Sequence, residues 1–187
     1  MEWLNPPRVW RQENDRLEVV TDDRTDFWRE TYYGWTNDNG HCYLEKVKGD
    51  FTAEVTFGAR FAAHYDHAGL MLRVSERFWV KGGVEHAHGV TALGTVLTRG
   101  QSDWAIGPLV GIADEIRLRV TRRGGAVCVQ WAPAHSDAPF QTLRLGALSE
   151  DADAWVGPMA CSPTRAGLEA HFQGFKVLPQ VDFAAEV

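Results

Sequence analysis

The sequence has almost nothing that reads as a helix. No window of a dozen residues holds an apolar period of 3.6, and glycine or proline interrupts most of them. A fold covered by long helices is therefore excluded. No run approaches the roughly 20 apolar residues that a membrane helix needs. The opening MEWLNPPRVWRQEN has neither a basic region nor an apolar core, so no leader, no membrane contact and a cytoplasmic location are expected. Cysteine is sparse and odd in number: Cys42, Cys128 and Cys161 are too widely spaced for a disulfide framework or a C-x-x-C metal pair. Each sits in an apolar segment, and buried thiols are expected. Positive charge is also short, with 19 Lys and Arg against 25 Asp and Glu for a net charge of -6. That balance collects no phosphates, so no nucleic-acid partner is expected. Glycine-rich phosphate loops, a G-x-S-x-G elbow and an E-x-D-x-E run are all absent. No cofactor is expected.

What is present is strand pattern. FTAEVTFGARF alternates Phe51, Ala53, Val55 and Phe57 against Thr52, Glu54 and Thr56. IRLRVTR does the same with Ile116, Leu118 and Val120, and RRGG at 122–125 turns the chain into AVCVQW as a hairpin. NDNG at 37–40 reads as another glycine turn, and WVGPMACS, AGLEAHF and GFKVLP as further short strands. Brief helical turns fit only SEDADA and SPTRA. With 44% hydrophobic and 24% charged residues in a chain of 187, one all-β, two-sheet sandwich spanning 1–187 follows. The WL near the start and FKVL near the end are placed side by side in one sheet, which would join the termini.

The segment HYDHAGLMLRVSERFWVKGGVEHAHG, residues 64–89, holds four of the seven histidines. Its register decides what it does. A three-residue loop at 75–77 pairs Val74 with Phe78, Leu72 with Val80 and Ala68 with Val84 on one apolar face. The opposite face then carries His67, Met71, Arg73, Trp79, Lys81 and Glu85, with His67 at its edge. Trp and Met suit a plain solvated face poorly, whereas an aromatic platform beside a few charged groups suits a small polar ligand. Gly69, Gly82 and Gly83 thin the hairpin enough for a ligand or another backbone to approach. His86 and His88 form an H-x-H pair, but no glutamate follows at metal-site spacing and His67 and Glu85 fall on the other parity, so no metal is assigned.

DFWRETYYGWTNDNGH puts Phe27, Trp28, Tyr32, Tyr33 and Trp35 within nine residues, more than one strand face can bury. Trp28 and Tyr33 fall on opposite parity, so at least part of this cluster should line a rim or groove. Trp104, in a loop-like setting, adds another ring; such positions suit a stacked sugar and plain loop packing equally. Glu85 is the best-placed acid. A second carboxylate would have to come from Asp26, Asp38, Asp66 or Asp103.

The runs WLNPPRVW, DFWRETYYGWTNDNGH, YDHAGLMLRVSERFWVKGGVEH, TRGQSDWAIGP, LRVTRRGG and VGPMACSPTRAGLEAHFQGFKV together resemble a bacterial and fungal family of uncharacterised domains with a concanavalin A-like lectin/glucanase fold. Its fungal members are called regulation-of-enolase proteins. The resemblance runs from about residue 3 to 178 and implies a jelly-roll sandwich of two curved antiparallel sheets with a concave face. Trp28, Tyr33, His41, Asp66, Met71, Arg73, Lys81, Glu85 and Trp104 lie in the motifs that carry it. The sequence departs from the family pattern at His67 and at EHAHG. The ligand-binding candidates are thus these nine residues and Trp79, with a carbohydrate or sugar phosphate as expected partner. Three functions fit: a cytosolic binding module, a sugar-acting enzyme using Glu85 with Lys81 or Arg73 stabilising negative charge, and a regulatory interaction protein of carbon metabolism. Fold alone decides none of them.

Overall fold

The computed structural model describes residues 1–108, 115–148 and 152–181. Among them lie 16 strands and no helix. The first six are β1 (Glu2–Leu4), β2 (Val9–Glu13), β3 (Arg16–Val20), β4 (Phe27–Arg29), β5 (Thr36–Asp38) and β6 (His41–Val47). Then come β7 (Phe51–Ala59), β8 (His67–Ser75), β9 (Phe78–Ala87), β10 (Val90–Arg99) and β11 (Gln101–Pro108). The last five are β12 (Glu115–Arg123), β13 (Ala126–Pro133), β14 (Gln141–Ala147), β15 (Ala154–Cys161) and β16 (Glu169–Leu178). One seven-stranded sheet has the order β1-β6-β15-β8-β9-β10-β11, and a second the order β14-β13-β12-β7-β16-β3-β2. β4 and β5 form a separate two-stranded ribbon. The chain is an all-β sandwich of two large antiparallel sheets, as its strand pattern implies.

Alternation explains the core. Phe51, Ala53, Val55 and Phe57 of β7 and Ile116, Leu118 and Val120 of β12 meet Ala68, Leu70, Leu72, Val80 and Val84 across the sandwich, all buried. A second cluster lies on the far side of the first sheet: Phe27 of the ribbon seals Cys42, Met71, Trp79, Val96, Met159 and Cys161 beneath it. Phe27 packs edge-on against Trp79 at 6.1 Å. Burying each such side chain contributes roughly 1.5–3 kcal/mol. The middle of the first sheet is thereby covered on both faces, and that enclosure creates the site.

The β8–β9 ladder has the expected register, with Leu72 opposite Val80, Met71 opposite Lys81 and His67 opposite Glu85. The turn differs. It contains only Glu76 and Arg77, and a bulge between Arg73 and Ser75 sets Ser75, not Val74, opposite Phe78. The extra residue in the strand does what an extra loop residue would have done. Backbone approach accounts for two of the hairpin glycines: a Cβ on Gly69 would lie 2.0 Å from the Gly82 oxygen, and one on Gly83 2.0 Å from the Ala68 oxygen. Gly82 faces Val129 of the other sheet.

Other expectations are corrected. WL and FKVL lie in different sheets: β1 pairs with β6, while β16 pairs with β3 and β7. NDNG ends β5 and links it to β6 without forming a hairpin turn. AGLEAHF and GFKVLP belong to one strand, β16, bent by a bulge between Gln173 and Lys176. Trp104 sits in a strand, β11, not a loop. SPTRA is a plain turn, and part of SEDADA lies outside the described residues. Gly124 and Gly125 close the β12–β13 hairpin as the sequence implies.

Candidate functional site

The ribbon is bolted to the first sheet by polar contacts at several points. The Arg73 guanidinium donates two parallel bonds to Asp38, at 2.6 and 2.7 Å. Asn5 Nδ2 donates to the carbonyls of Asp38 and Gly40, both at 2.9 Å. The Arg29 N–H donates to Ser102 Oγ at 2.9 Å. Between ribbon and sheet remains a pocket of about 480 Å³.

Its walls are aromatic. Trp28 comes from β4, Tyr33 and Trp35 from the loop that follows, Tyr65 from the segment before β8, and Trp104 from β11. Tyr33 and Trp35 stack at 4.8 Å with planes 8° apart, and Trp28 meets Tyr33 edge-on at 5.8 Å. Tyr33 and Tyr65 share a hydroxyl hydrogen bond of 3.1 Å, which with burial pushes the Tyr65 phenol up to about 12. The mouth is wet: Tyr33 and Trp35 remain 41% and 52% exposed.

The floor is charged. Lys81 is buried, and its Nζ donates to Asp26 Oδ1 at 3.0 Å. Burial, the largest influence, pulls the Lys81 pKa down, but Asp26 together with Cys161 and Glu85 outweighs it and the pKa lies above the usual lysine value. Glu85 is 5% exposed and accepts the Trp104 indole N–H on Oε2 at 2.8 Å. Burial holds its carboxyl above the ordinary range against the pull of Lys81 and the indole, and the charge of Asp26 adds to the rise. Gly94 makes room for it, since a Cβ there would lie 2.6 Å from Oε2. Beside them, burial pushes the Cys161 thiol up to about 12, so it is no ready nucleophile. Cys42 and Cys128 are also buried and free.

Five of the ten sequence candidates line the pocket: Trp28, Tyr33, Lys81, Glu85 and Trp104. The other five support it. His41 is buried and accepts the Asp22 N–H at 3.0 Å while its other nitrogen bonds the Asn5 oxygen at 2.7 Å. Asp66 is fully buried and takes the Ala62 and Ala63 N–H groups, the Ser162 hydroxyl and the Arg165 guanidinium. Met71 and Trp79 are core, and Arg73 is the ribbon clamp. His67 lies not at an edge but in the interior. Both of its ring nitrogens are enclosed without a partner among the described residues, and burial, then Lys81, drives its pKa well below the usual 6.5. Its imidazole is neutral. Asp26, Trp35 and Tyr65 line the pocket too, as do Arg24, Asn37, Val96, Pro163 and Thr164, all outside the sequence candidates for ligand contact. Only tertiary folding brings Asp26 to Lys81, although its place as a candidate second acid was visible.

Among the described residues no group of three or more His, Cys, Asp or Glu is placed to hold a metal ion. A larger cleft of about 1030 Å³ opens beside β2, β3 and β16. Its charged groups answer one another, Arg16 with Glu18 and Arg60 with Glu169, each at 3.0 Å and well exposed. Surface pairs of that kind contribute little, and the pocket under the ribbon is the candidate site.

Residues 3–180 match the model of a family described as "Protein of unknown function (DUF1349)". The chain is 39% identical over 170 residues to "Regulation of enolase protein 1" of Saccharomyces cerevisiae, covering 91% of this chain and 85% of the relative. It superposes with a TM-score of 0.92 and 36% identity on the crystal structure of a functionally unknown protein from Saccharomyces cerevisiae, covering 97% of each chain. The GH43 BlXynB protein from Bacillus licheniformis is similar in fold alone, at TM-score 0.64 and 16% identity, over 93% of this chain and 35% of that one. With nearly its whole length matched and a relative sharing two residues in five, the chain belongs to the DUF1349 family.

Proposed function

We propose that the protein binds a small, hydroxyl-rich ring molecule, a carbohydrate or sugar phosphate, between the ribbon and the first sheet. One observation carries this reading: five aromatic side chains surround a pocket of about 480 Å³ above buried Lys81 and Glu85. A sugar offers C–H faces that pack on indoles and phenols, and hydroxyls that bond to carboxyl and ammonium groups. The volume falls within the roughly 300–1,000 Å³ typical of small-molecule sites. Asp26 neutralises Lys81, so an anionic group on the ligand would turn to Arg24 at the rim. Three free thiols support action in a reducing compartment such as the cytoplasm.

The test is a thermal-shift screen with monosaccharides, disaccharides and sugar phosphates. Ligand at about 100 times its Kd adds about 2.7 kcal/mol. No stabilisation by any of them at high concentration rejects the reading. The name of the yeast relative, Regulation of enolase protein 1, favours a second reading as a regulatory interaction protein of carbon metabolism. Enolase activity measured with and without the purified protein tests it, and an unchanged rate counts against it.

A further inference from the structure

We propose that the pocket hydrolyses a glycosidic bond, with Glu85 as proton donor and Asp26 as proton acceptor. This rests on the ligand reading above and adds a reaction to it. Two carboxyl groups enter one aromatic-walled space from different sides: Glu85 from the sheet floor, Asp26 from the segment leading into the ribbon. Their surroundings differ in the way that acid and base roles require.

Glu85 has no cation within salt-bridge distance among the described residues, and its one hydrogen bond there is the Trp104 indole on Oε2. Oε1 is free to carry a proton toward a ligand. Asp26 instead receives Lys81 Nζ at 3.0 Å and the Phe27 N–H at 2.7 Å, both on Oδ1. Both contacts occupy Oδ1 and leave Oδ2 without a hydrogen bond among the described residues. The three other candidate acids are already committed: Asp38 to Arg73, Asp66 to Arg165 and Asp103 to Arg144. The buried environment supports the assignment, because it favours the protonated form of Glu85.

In the reaction, Glu85 gives its proton to the bridging oxygen as the bond from that oxygen to the anomeric carbon breaks, and the oxygen departs as an alcohol. Water adds to the anomeric carbon and passes a proton to Asp26. Transfer of that proton through solvent back to Glu85 restores the starting state. The balance is one glycoside and one water in, two hydroxyl products out. The Asp26 charge also favours the cationic carbon of the transition state. Asp26 Oδ2, the oxygen not held by Lys81 or the Phe27 amide, takes the proton of the water in a single displacement, which inverts configuration. Lys81, Asp26, Tyr65 and His88 act electrostatically on or beside Glu85, with neutral His67 opposite it on β8.

The experiment uses the full chain with α- and β-linked disaccharides of glucose, xylose and mannose, reading binding by thermal shift and products by NMR. The expected result is at least one disaccharide that stabilises the protein and is cleaved with inversion. E85Q should still bind it but lose hydrolysis by roughly 100-fold or more. The loss should be far smaller on the dinitrophenyl glycoside of the same sugar, whose leaving group needs no proton. D26N should slow both. If E85Q does not fold, Gly94→Ala, which crowds the same carboxyl, takes its place. A disaccharide that binds and is never cleaved overturns the reaction but not the binding reading. Equal losses on both leaving groups overturn Glu85 as donor, and retained configuration overturns Asp26 as base toward water. No binding at all overturns the pocket reading itself.

Discussion

Replacing Arg73 with Met tests whether the ribbon is clamped to the sheet by the Arg73–Asp38 fork. The guanidinium is 9% exposed as a residue, and its two bonds are 2.6 and 2.7 Å long. Removing one partner of a fully buried pair costs about 3–5 kcal/mol, most of it the cost of the orphaned charge. The Asp38 side chain is 32% exposed, so water recovers part of that cost. About 2 kcal/mol remains. For a chain of this length that lowers Tm by about 4–8 °C. Chemical and thermal unfolding of R73M, Asp38→Asn and the double variant would separate the pair from the packing of the arginine stem. A coupling energy of about 1–2 kcal/mol is expected, within the range of contacting polar pairs. Asp38→Asn alone should also cost stability, since it leaves the arginine under the ribbon. An R73M Tm within about 1 °C of wild type, or a coupling below about 0.5 kcal/mol, would refute the clamp.

Three further outcomes are expected. The Glu85 carboxyl is raised in the folded state above its ordinary 4.5, so the native protein holds this proton longer than the unfolded chain. Stability from this group is full below pH 4.5 and is lost as pH climbs through the folded value; Glu85→Gln should remove that loss in urea titrations across pH. His67 has the opposite sign: its folded value lies well below 6.5, so stability falls as pH drops below 6.5, and His67→Phe should flatten the decline between pH 7 and 5. Gly94→Ala puts a methyl 2.6 Å from Glu85 Oε2, the end of a flexible side chain. It should cost only about 1 kcal/mol by calorimetry yet break the Trp104–Glu85 bond, seen as a change in tryptophan fluorescence.

The β8–β9 register could be read from residue types because a one-residue slip would have moved Leu72 and Val80 out of the core. The bulge at Val74 could not, since an extra residue in the strand and an extra residue in the loop give the same pairing beyond it. The polar face of the hairpin was also legible as a set, but not its division of labour. Met71, Arg73 and Trp79 share parity with Lys81 and Glu85, and period-2 reasoning cannot tell a residue beneath the ribbon from one beside the pocket. The aromatic excess in 27–35 signalled a rim without saying which ring faces in. Left-handed backbone at Glu30 and Tyr32 bends that loop over the site.

The sequence by itself determined the all-β class, the apolar faces of strands such as β7, β9 and β12, and the family, because these depend on local alternation and on runs of residues contiguous in the chain. Only the tertiary structure decided that a ribbon of six residues would fold back over the first sheet. That placement carried Asp26 to Lys81, 55 positions away, and left Glu85 buried with an indole for company. Charges in a low-dielectric pocket respond to neighbours in space, and neighbours in space are what a linear pattern does not record.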